Sequence, residues 1–354
     1  MFKTKLLYLV LLAVMLLPLS LFATPKLMFA ATIIRHGNRT PYYILKKDAY
    51  DWKLGPGQLL PIGMHKEHLL GVKLRNLLIK KEHLIPENYN GKLMYVWSGT
   101  GDRILMSAES LLSGLYPLGT GPKLTNGKPA LPSGFQPIPI HTEPTSSNSL
   151  INENNVKSKE FNELLNKFSY TQQSWIDMNK KYEKDFPRWS KIFGQKITNL
   201  ADMLPIGDNM HVRMLYDIPL PKGISKKEAQ NLSWLNLWAE TQQYKPKIVG
   251  KFMAGPFLKN LAKYMKNSIY GKIKIKYVLY SAHDSNIIGI MSAFGKPLDA
   301  ATYPPYASNI NFLVYENNGE YSVKITYLGE VWNISNSKDG VCSLKEFFKI
   351  VNSI

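Results

Sequence analysis

Residues 26–41 read KLMFAATIIRHGNRTP. Lys26 to Ile34 is a nearly unbroken apolar run with β-branched residues, the pattern of a strand buried on both faces of a parallel sheet. It stops abruptly at Arg35-His36-Gly37. Leu93 to Trp97 (LMYVW) has the same character, and so does Ile273 to Tyr280 (IKIKYVLY), which runs into Ser281-Ala282-His283-Asp284. Between the first two strands, Pro61 to Lys81 carries Met64, Leu70, Leu74, Leu77 and Leu78 at helical spacing. A second helix is expected after Ser98 to Asp102, with Leu105, Ala108, Leu111, Leu112 and Leu115 on one face. Strand, helix, strand, helix is the rhythm of an α/β domain.

Farther out the pattern changes. Gly119 to Pro144 is rich in Pro and Gly and reads as a long connection, after which Asn154 to Leu204 and Lys226 to Glu240 look helical. The aromatic residues there, Phe168, Tyr170, Trp175, Tyr182, Phe186, Trp189 and Phe193, are expected to form the core of a helical insertion. A helix over Pro246 to Asn267 returns to the α/β domain, followed by strand-like stretches at Asn311 to Tyr315 and Tyr321 to Tyr327. The expected organisation is a discontinuous α/β domain, 24–108 and 245–354, interrupted by a mainly helical insertion at 109–244.

Composition bounds the rest. With 45% hydrophobic and 20% charged residues among 354, disorder and collagen-like structure are excluded. The formal net charge of +18 is dispersed and suits anions in general without naming one. A single cysteine, Cys342, excludes an intramolecular disulfide, so the core alone must hold the fold. Residues 1–23, with Lys3 and Lys5 before an apolar run and Ala23 at its end, read as a cleaved export signal, an uncleaved membrane anchor being the alternative. A soluble, exported mature protein follows from the first reading.

The chemistry concentrates where strands end, because strand C-termini border the ligand crevice of an open parallel sheet. Arg35, His36 and Arg39, with Gly37 for a tight turn and Pro41 to stiffen the exit, suit a tetrahedral anion: a guanidinium donates parallel hydrogen bonds to adjacent phosphate oxygens. The plainer reading pairs the arginines with acidic side chains and packs His36 in the core. The second cluster, Ser281 to Asn286, could be no more than a helix N-cap with a packed His283. Two His-bearing strand ends plus Arg103, near a third strand end, favour a common site.

These residues resemble the histidine acid phosphatases, the acid phosphatase and phytase branch of the histidine phosphatase superfamily. The resemblance is carried by RHGNRTP at 35–41, GQLLPIGMHKEHLLG at 57–71, DRILMSAES at 102–110, QPIPIHTEP at 136–144, AGPFL at 254–258 and YSAHDSN at 280–286, in the family's order across essentially the whole mature chain. It implies a phosphoglycerate-mutase-like three-layer sandwich with a mainly parallel central sheet and an inserted helical cap. His36 would be the nucleophile, becoming phosphohistidine, and Asp284 the proton donor to the leaving alcohol. Arg35, Arg39, Arg103 and His283 would surround the phosphoryl oxygens. Neither a metal nor another cofactor is called for, and a bell-shaped, acidic pH profile is expected. The YSAHD form looks most like broad-specificity acid phosphatases, with a phytase or another narrow-specificity phosphatase as the alternative. A phosphoglycerate-mutase-like transferase and a non-enzymatic cationic anion-binding protein are the weaker rivals. Small-molecule phosphomonoesters are the expected partners, with a homodimer the self-association considered, no nucleic acid, and no membrane once the signal is removed. The chain departs from the family at the end of its second strand, where an arginine is frequent and this chain reads Trp97-Ser98-Gly99, and in lacking the disulfides of the animal members.

Other motifs have bland readings. His65-x-x-His68 fits a solvated helix face, Gly119-x-Gly121 a turn, and the alternation Lys272, Lys274, Lys276 a solvated strand start. The glycosylation sequon Asn38-Arg39-Thr40 falls inside the expected site, where a glycan would block it, and His141 is expected to be structural.

Overall fold

The computed structural model describes residues 24–142, 151, 158–334 and 340–354. The expected export signal, 1–23, lies outside the described residues, as does the start of the helical stretch expected from Asn154. In chain order the framework elements are β1 (Lys26–Arg35), α1 (Pro61–Arg75, continued by a π turn Asn76–Lys81), β2 (Met94–Ser98), α2 (Asp102–Leu115) and β3 (His141–Thr142). The insertion contributes α3 (Lys159–Leu164), α4 (Gln173–Tyr182), α5 (Phe186–Phe193), α6 (Leu204–Leu215) and α7 (Lys226–Tyr244). The chain then returns through α8 (Lys247–Ile269), β4 (Tyr277–Ala282), α9 (Asp284–Ala293), β5 (Asn309–Asn317), β6 (Glu320–Tyr327), β7 (Glu330–Trp332), β8 (Val341–Ser343) and α10 (Leu344–Asn352).

One sheet runs β3-β2-β4-β1-β5-β6-β7, with β8 also on β6. The half containing β3, β2, β4 and β1 is parallel, and β5 to β8 complete it with antiparallel pairs. Successive residues of β1 serve both faces: Ala30 and Ile34 pack with Leu70, Leu74, Leu111 and Leu115 of α1 and α2, while Phe29, Ala31 and Ile33 pack with residues of α8, α9 and α10. This alternation inside a continuous apolar run is why the strand could be recognised as doubly covered, and it makes a three-layer α/β sandwich. The buried stripe of α2 includes Ile104, Ala108, Leu111, Leu112 and Leu115, so Leu105, expected on that face, turns half outward.

One boundary differs from expectation. The strand read from Ile273 begins at Tyr277, because its pairing starts where Met94 and Ala30 become available as neighbours. The preceding lysines are irregular coil, not a strand start. The insertion buries Trp175, Tyr182, Phe186, Trp189 and Phe193 with Met210, Leu232 and Leu235, whereas Phe168, expected among them, packs half-buried against the framework core because its segment lies on that layer. Ser225 starts α7, its hydroxyl accepting from the Glu228 N–H.

The α1–α2 seam is close-packed on glycine: a Cβ on Gly71 would lie 1.9 Å from the Leu111 carbonyl oxygen. On α1, Glu67 is fully buried, and neither carboxylate oxygen has a hydrogen-bond partner among the described residues. Burial alone pushes this carboxyl well above its usual range, so the native state holds it protonated. Since the folded pKa is the raised one, the stability it supports is complete below the unfolded value of about 4.3 and is lost as pH climbs toward the folded value, by up to about 1.4 kcal/mol per pH unit. Glu67→Gln is therefore expected to leave stability in acid nearly unchanged and to flatten this loss at neutral pH. Urea denaturation between about pH 4 and 7 reads the difference, and parallel curves for the two proteins would refute it.

Candidate active site

Strand register brings the motifs together. Arg35 pairs with Ala282 across β1 and β4, and the His36 N–H donates to the Ala282 carbonyl at 3.0 Å, so Arg35-His36 and His283-Asp284 leave the sheet side by side. On the other flank Ser98 of β2 pairs with Ser281, and the Gly99 N–H donates to the Ser281 carbonyl at 3.1 Å. Helix α2 then starts at Asp102, which places Arg103 in its first turn. The loop after β1 sits directly on the start of α1. A Cβ on Gly37 would lie 2.6 Å from the Gly63 carbonyl oxygen, and one on Gly63 would lie 2.4 Å from that of Asn38. Only a pair of glycines permits this approach. Ser107 of α2 fixes the loop from the side, its hydroxyl accepting from the Gly37 N–H at 3.0 Å.

The His36 ring is buried, with Nδ1 2.9 Å from the Gly37 carbonyl oxygen. A carbonyl can only accept, so this contact places the proton on Nδ1 and leaves the lone pair on Nε2. The His283 ring stands edge-on 5.7 Å away and Tyr306 lies 5.9 Å away, centroid to centroid. Burial first, then Arg103, Arg39, Arg35 and His283, hold His36 well below the ordinary histidine value, so the imidazole stays neutral in acid.

The arginines are anchored differently. Arg39 makes a bidentate pair with Asp208 of α6, both contacts at 3.0 Å, and Asp208 also accepts from the Tyr42 N–H at 2.8 Å. The insertion is thereby tied to the loop that carries His36. Arg35 lies behind the cleft: its guanidinium is 2.8 Å from an Asp284 carboxylate oxygen and stacks over Tyr306 at 4.0 Å and Tyr303 at 4.9 Å. Asp284 also accepts from the Tyr303 hydroxyl at 2.6 Å and from the Ser285 N–H at 2.8 Å. Burial would raise this carboxyl, but the Arg35 guanidinium beside it and the hydrogen bond from Tyr303 outweigh it and hold it well below the usual carboxylate range. The proton donor expected at this position is thus ionised in the substrate-free site.

His36, Arg39, Arg103, His283 and Asp284 line one cleft of about 370 Å³, and Arg35 backs it. Positive charge converging on a neutral imidazole with a lone pair is an arrangement for a tetrahedral oxyanion. The sequence profile of the histidine phosphatase superfamily, branch 2, matches residues 26–328. The chain belongs to that branch. This histidine phosphatase is 28% identical over 318 residues to bovine prostatic acid phosphatase, covering 86% of this chain and 78% of that protein. It is 30% identical over 320 residues to the lysosomal acid phosphatase of Xenopus laevis, covering 86% and 70%. Among solved structures it is similar to the Klebsiella sp. ASR1 phytase (TM-score 0.67, 12% identity, 93% of this chain and 96% of that one) and to the apo Hafnia alvei phytase (0.65, 14%, 94% and 97%). At such identities these likenesses show the shared fold.

Several residues that shape the site were not read from the sequence. Asp208 sits in a helix with no distinguishing spacing and meets Arg39 across 169 positions of chain. Tyr303 and Tyr306 flank Pro304-Pro305, a turn signal before β5 that carries no chemistry of its own. Glu240 and Tyr170 line the cleft from the insertion. Trp97, in the stretch where the resemblance leads one to expect an arginine, packs 5.1 Å from Tyr95 and is outside the cleft lining. His65 and His68 also lie away from the cleft, with His68 Nδ1 2.9 Å from the Ser113 hydroxyl. His141 stacks on Tyr95 at 4.3 Å.

Proposed function

We propose that this histidine phosphatase is an acid phosphatase that hydrolyses phosphate monoesters through a phosphohistidine. The reading rests above all on the Nδ1 contact of His36, which leaves Nε2 as a nucleophile beside Arg39, Arg103 and Asp284. In the first step Nε2 bonds to phosphorus as the ester P–O bond breaks in line, and the departing alcohol oxygen takes a proton from Asp284. In the second, the Asp284 carboxylate takes a proton from a water whose oxygen attacks phosphorus, releasing His36 and inorganic phosphate. Guanidinium groups stabilise the equatorial oxygens throughout.

The ionised state of Asp284 bears on pH. A phosphomonoester loses its second proton at about pH 6, so in acid the bound monoanion brings a proton with it. Its negative charge also competes for Arg35 and raises the neighbouring carboxyl, so the proton passes to Asp284 on binding. Above about pH 6 that proton is lost, while His36 remains neutral well into acid. Hydrolysis of p-nitrophenyl phosphate from about pH 3 to 9 is therefore expected to peak in acid and fall toward neutrality, with EDTA without effect. An alkaline maximum, or no hydrolysis by a folded protein, would overturn the reading.

Multiply phosphorylated inositols are the less favoured substrates. Among the described residues the arginine and lysine side chains lining the cleft are Arg39 and Arg103 alone, both within the phosphate cluster. Export of the mature protein belongs to the same proposal and rests on the sequence of residues 1–23.

A further inference from the structure

We propose that α7 carries the subsite for the alcohol half of the substrate, with Glu240 as its specificity-determining residue, and that this subsite favours polyhydroxylated alcohols bearing one phosphate. The inference rests on the phosphomonoesterase reading above. Asn236, Glu240 and Gln243 are spaced i, i+4, i+7, so they form one stripe along α7, and all three line the cleft. Asn236 is 5% exposed, and its Oδ1 has no hydrogen-bond partner among the described residues. Gln243 is oriented by its own bond, Nε2 donating to the Tyr170 hydroxyl at 3.1 Å. A buried wall of polar groups with unused capacity is costly unless a ligand completes it.

Glu240 is the third carboxyl in the cleft and differs from the other two. Asp208 is paired with Arg39 and Asp284 with Arg35, whereas no hydrogen bond or ion pair holds Glu240 among the described residues. The groups around it are Asp284 of α9, Asp208 of α6, Arg35 and Arg39 at the end of β1, and Tyr170, Tyr244 and Tyr303. Burial, followed by the two aspartates, pushes its pKa up to about 8 against the pull of the arginines. At the acidic pH of the proposed reaction it is a neutral acid, one O–H donor with a carbonyl acceptor beside it, suited to a hydroxyl. Glu240 shares the cleft with Asp284, the residue proposed to protonate the leaving oxygen.

The same cleft is also lined by the apolar side chains of Phe161, Leu165, Leu204 and Pro205. A sugar or polyol presents both an apolar face and a hydroxyl edge, which match a lining of this mixed kind. A second phosphate on the alcohol would find, among the described residues lining the cleft, no arginine or lysine beyond those that hold the first.

Glycerol 2-phosphate and isopropyl phosphate share a carbon skeleton and differ only in hydroxyl groups, so the ratio of their kcat/KM values measures hydroxyl recognition. At about pH 5 the wild type is expected to favour glycerol 2-phosphate, and Glu240→Leu to lower that ratio about tenfold, the worth of one well-made hydrogen bond. Glu240→Gln, which keeps a donor and an acceptor at nearly the same volume, is expected to retain most of the preference. A ratio unmoved in both variants, or equal losses on both substrates, would overturn the subsite. A wild type inactive on both substrates and on p-nitrophenyl phosphate would instead overturn the phosphomonoesterase reading beneath it.

Discussion

His36→Ala is expected to lower the hydrolysis of every phosphomonoester by at least about a thousandfold, at all pH values. The argument begins with the backbone. The Gly37 carbonyl fixes the tautomer at Nδ1, and the His36 N–H is fixed to Ala282, so the ring has one orientation and one available nitrogen. The two carboxylates nearest the arginines are already engaged, Asp284 by Arg35 and Tyr303 and Asp208 by Arg39. Binding should outlast the loss, because Arg39, Arg103 and His283 are untouched, and inorganic phosphate should still protect the variant against thermal unfolding. The same experiment carries a positive signal in the wild type. Acid quenching destroys a phosphoramidate, so the enzyme quenched in base during turnover of radiolabelled substrate should retain label that acid releases. A folded His36→Ala protein within tenfold of wild-type activity would rule out His36 as the nucleophile.

How legible the molecule was depends on where its constraints are written. A strand covered on both faces must be apolar at every position, so KLMFAATII declared itself, and the polar residues that interrupt it had to lie at a strand end. The same logic located His283 and Asp284, whose strand is buried at all six positions. Strand direction is not written in periodicity, which is why β5 and β6 were read as strands without their antiparallel pairing becoming visible. Nor does periodicity carry partners. Arg39 could be assigned to an anion from its type and spacing, but its actual contact, Asp208, depends on how α6 docks on the loop. Arg35 likewise reads as a phosphate ligand, and only the packing of Tyr303 and Tyr306 sets its guanidinium against Asp284. The residues least visible in the sequence are those of the cleft walls, Glu240 and Tyr170, since one helical stripe serves the aromatic core and the next serves the cleft.

Asp284→Asn is expected to cost an amount that depends on the alcohol expelled. Asparagine keeps the shape at this position, can still accept from the Tyr303 hydroxyl and leaves Arg35 its other contacts, Pro304 and Tyr306, so the fold should survive. What it removes is an acid able to protonate the leaving oxygen, a contribution of about a hundred- to ten-thousandfold where that oxygen is strongly basic. Alkyl phosphates such as glycerol 2-phosphate should show the full loss. p-Nitrophenyl phosphate, whose leaving group is stable as an anion, should show far less in its first step, and turnover should then be limited by water attack, which the lost carboxylate also assisted. A phosphoenzyme should therefore accumulate in Asp284→Asn with p-nitrophenyl phosphate, seen as a burst of p-nitrophenol equal to the enzyme present. The acidic limb should change too. With the carboxyl gone, Arg35 loses the anion that occupies it, and the positive charge around His36 acts without opposition, so the imidazole should stay neutral to still lower pH. Equal losses for alkyl and nitrophenyl esters, with no burst, would mean that Asp284 only holds Arg35 in place and that the proton comes from elsewhere.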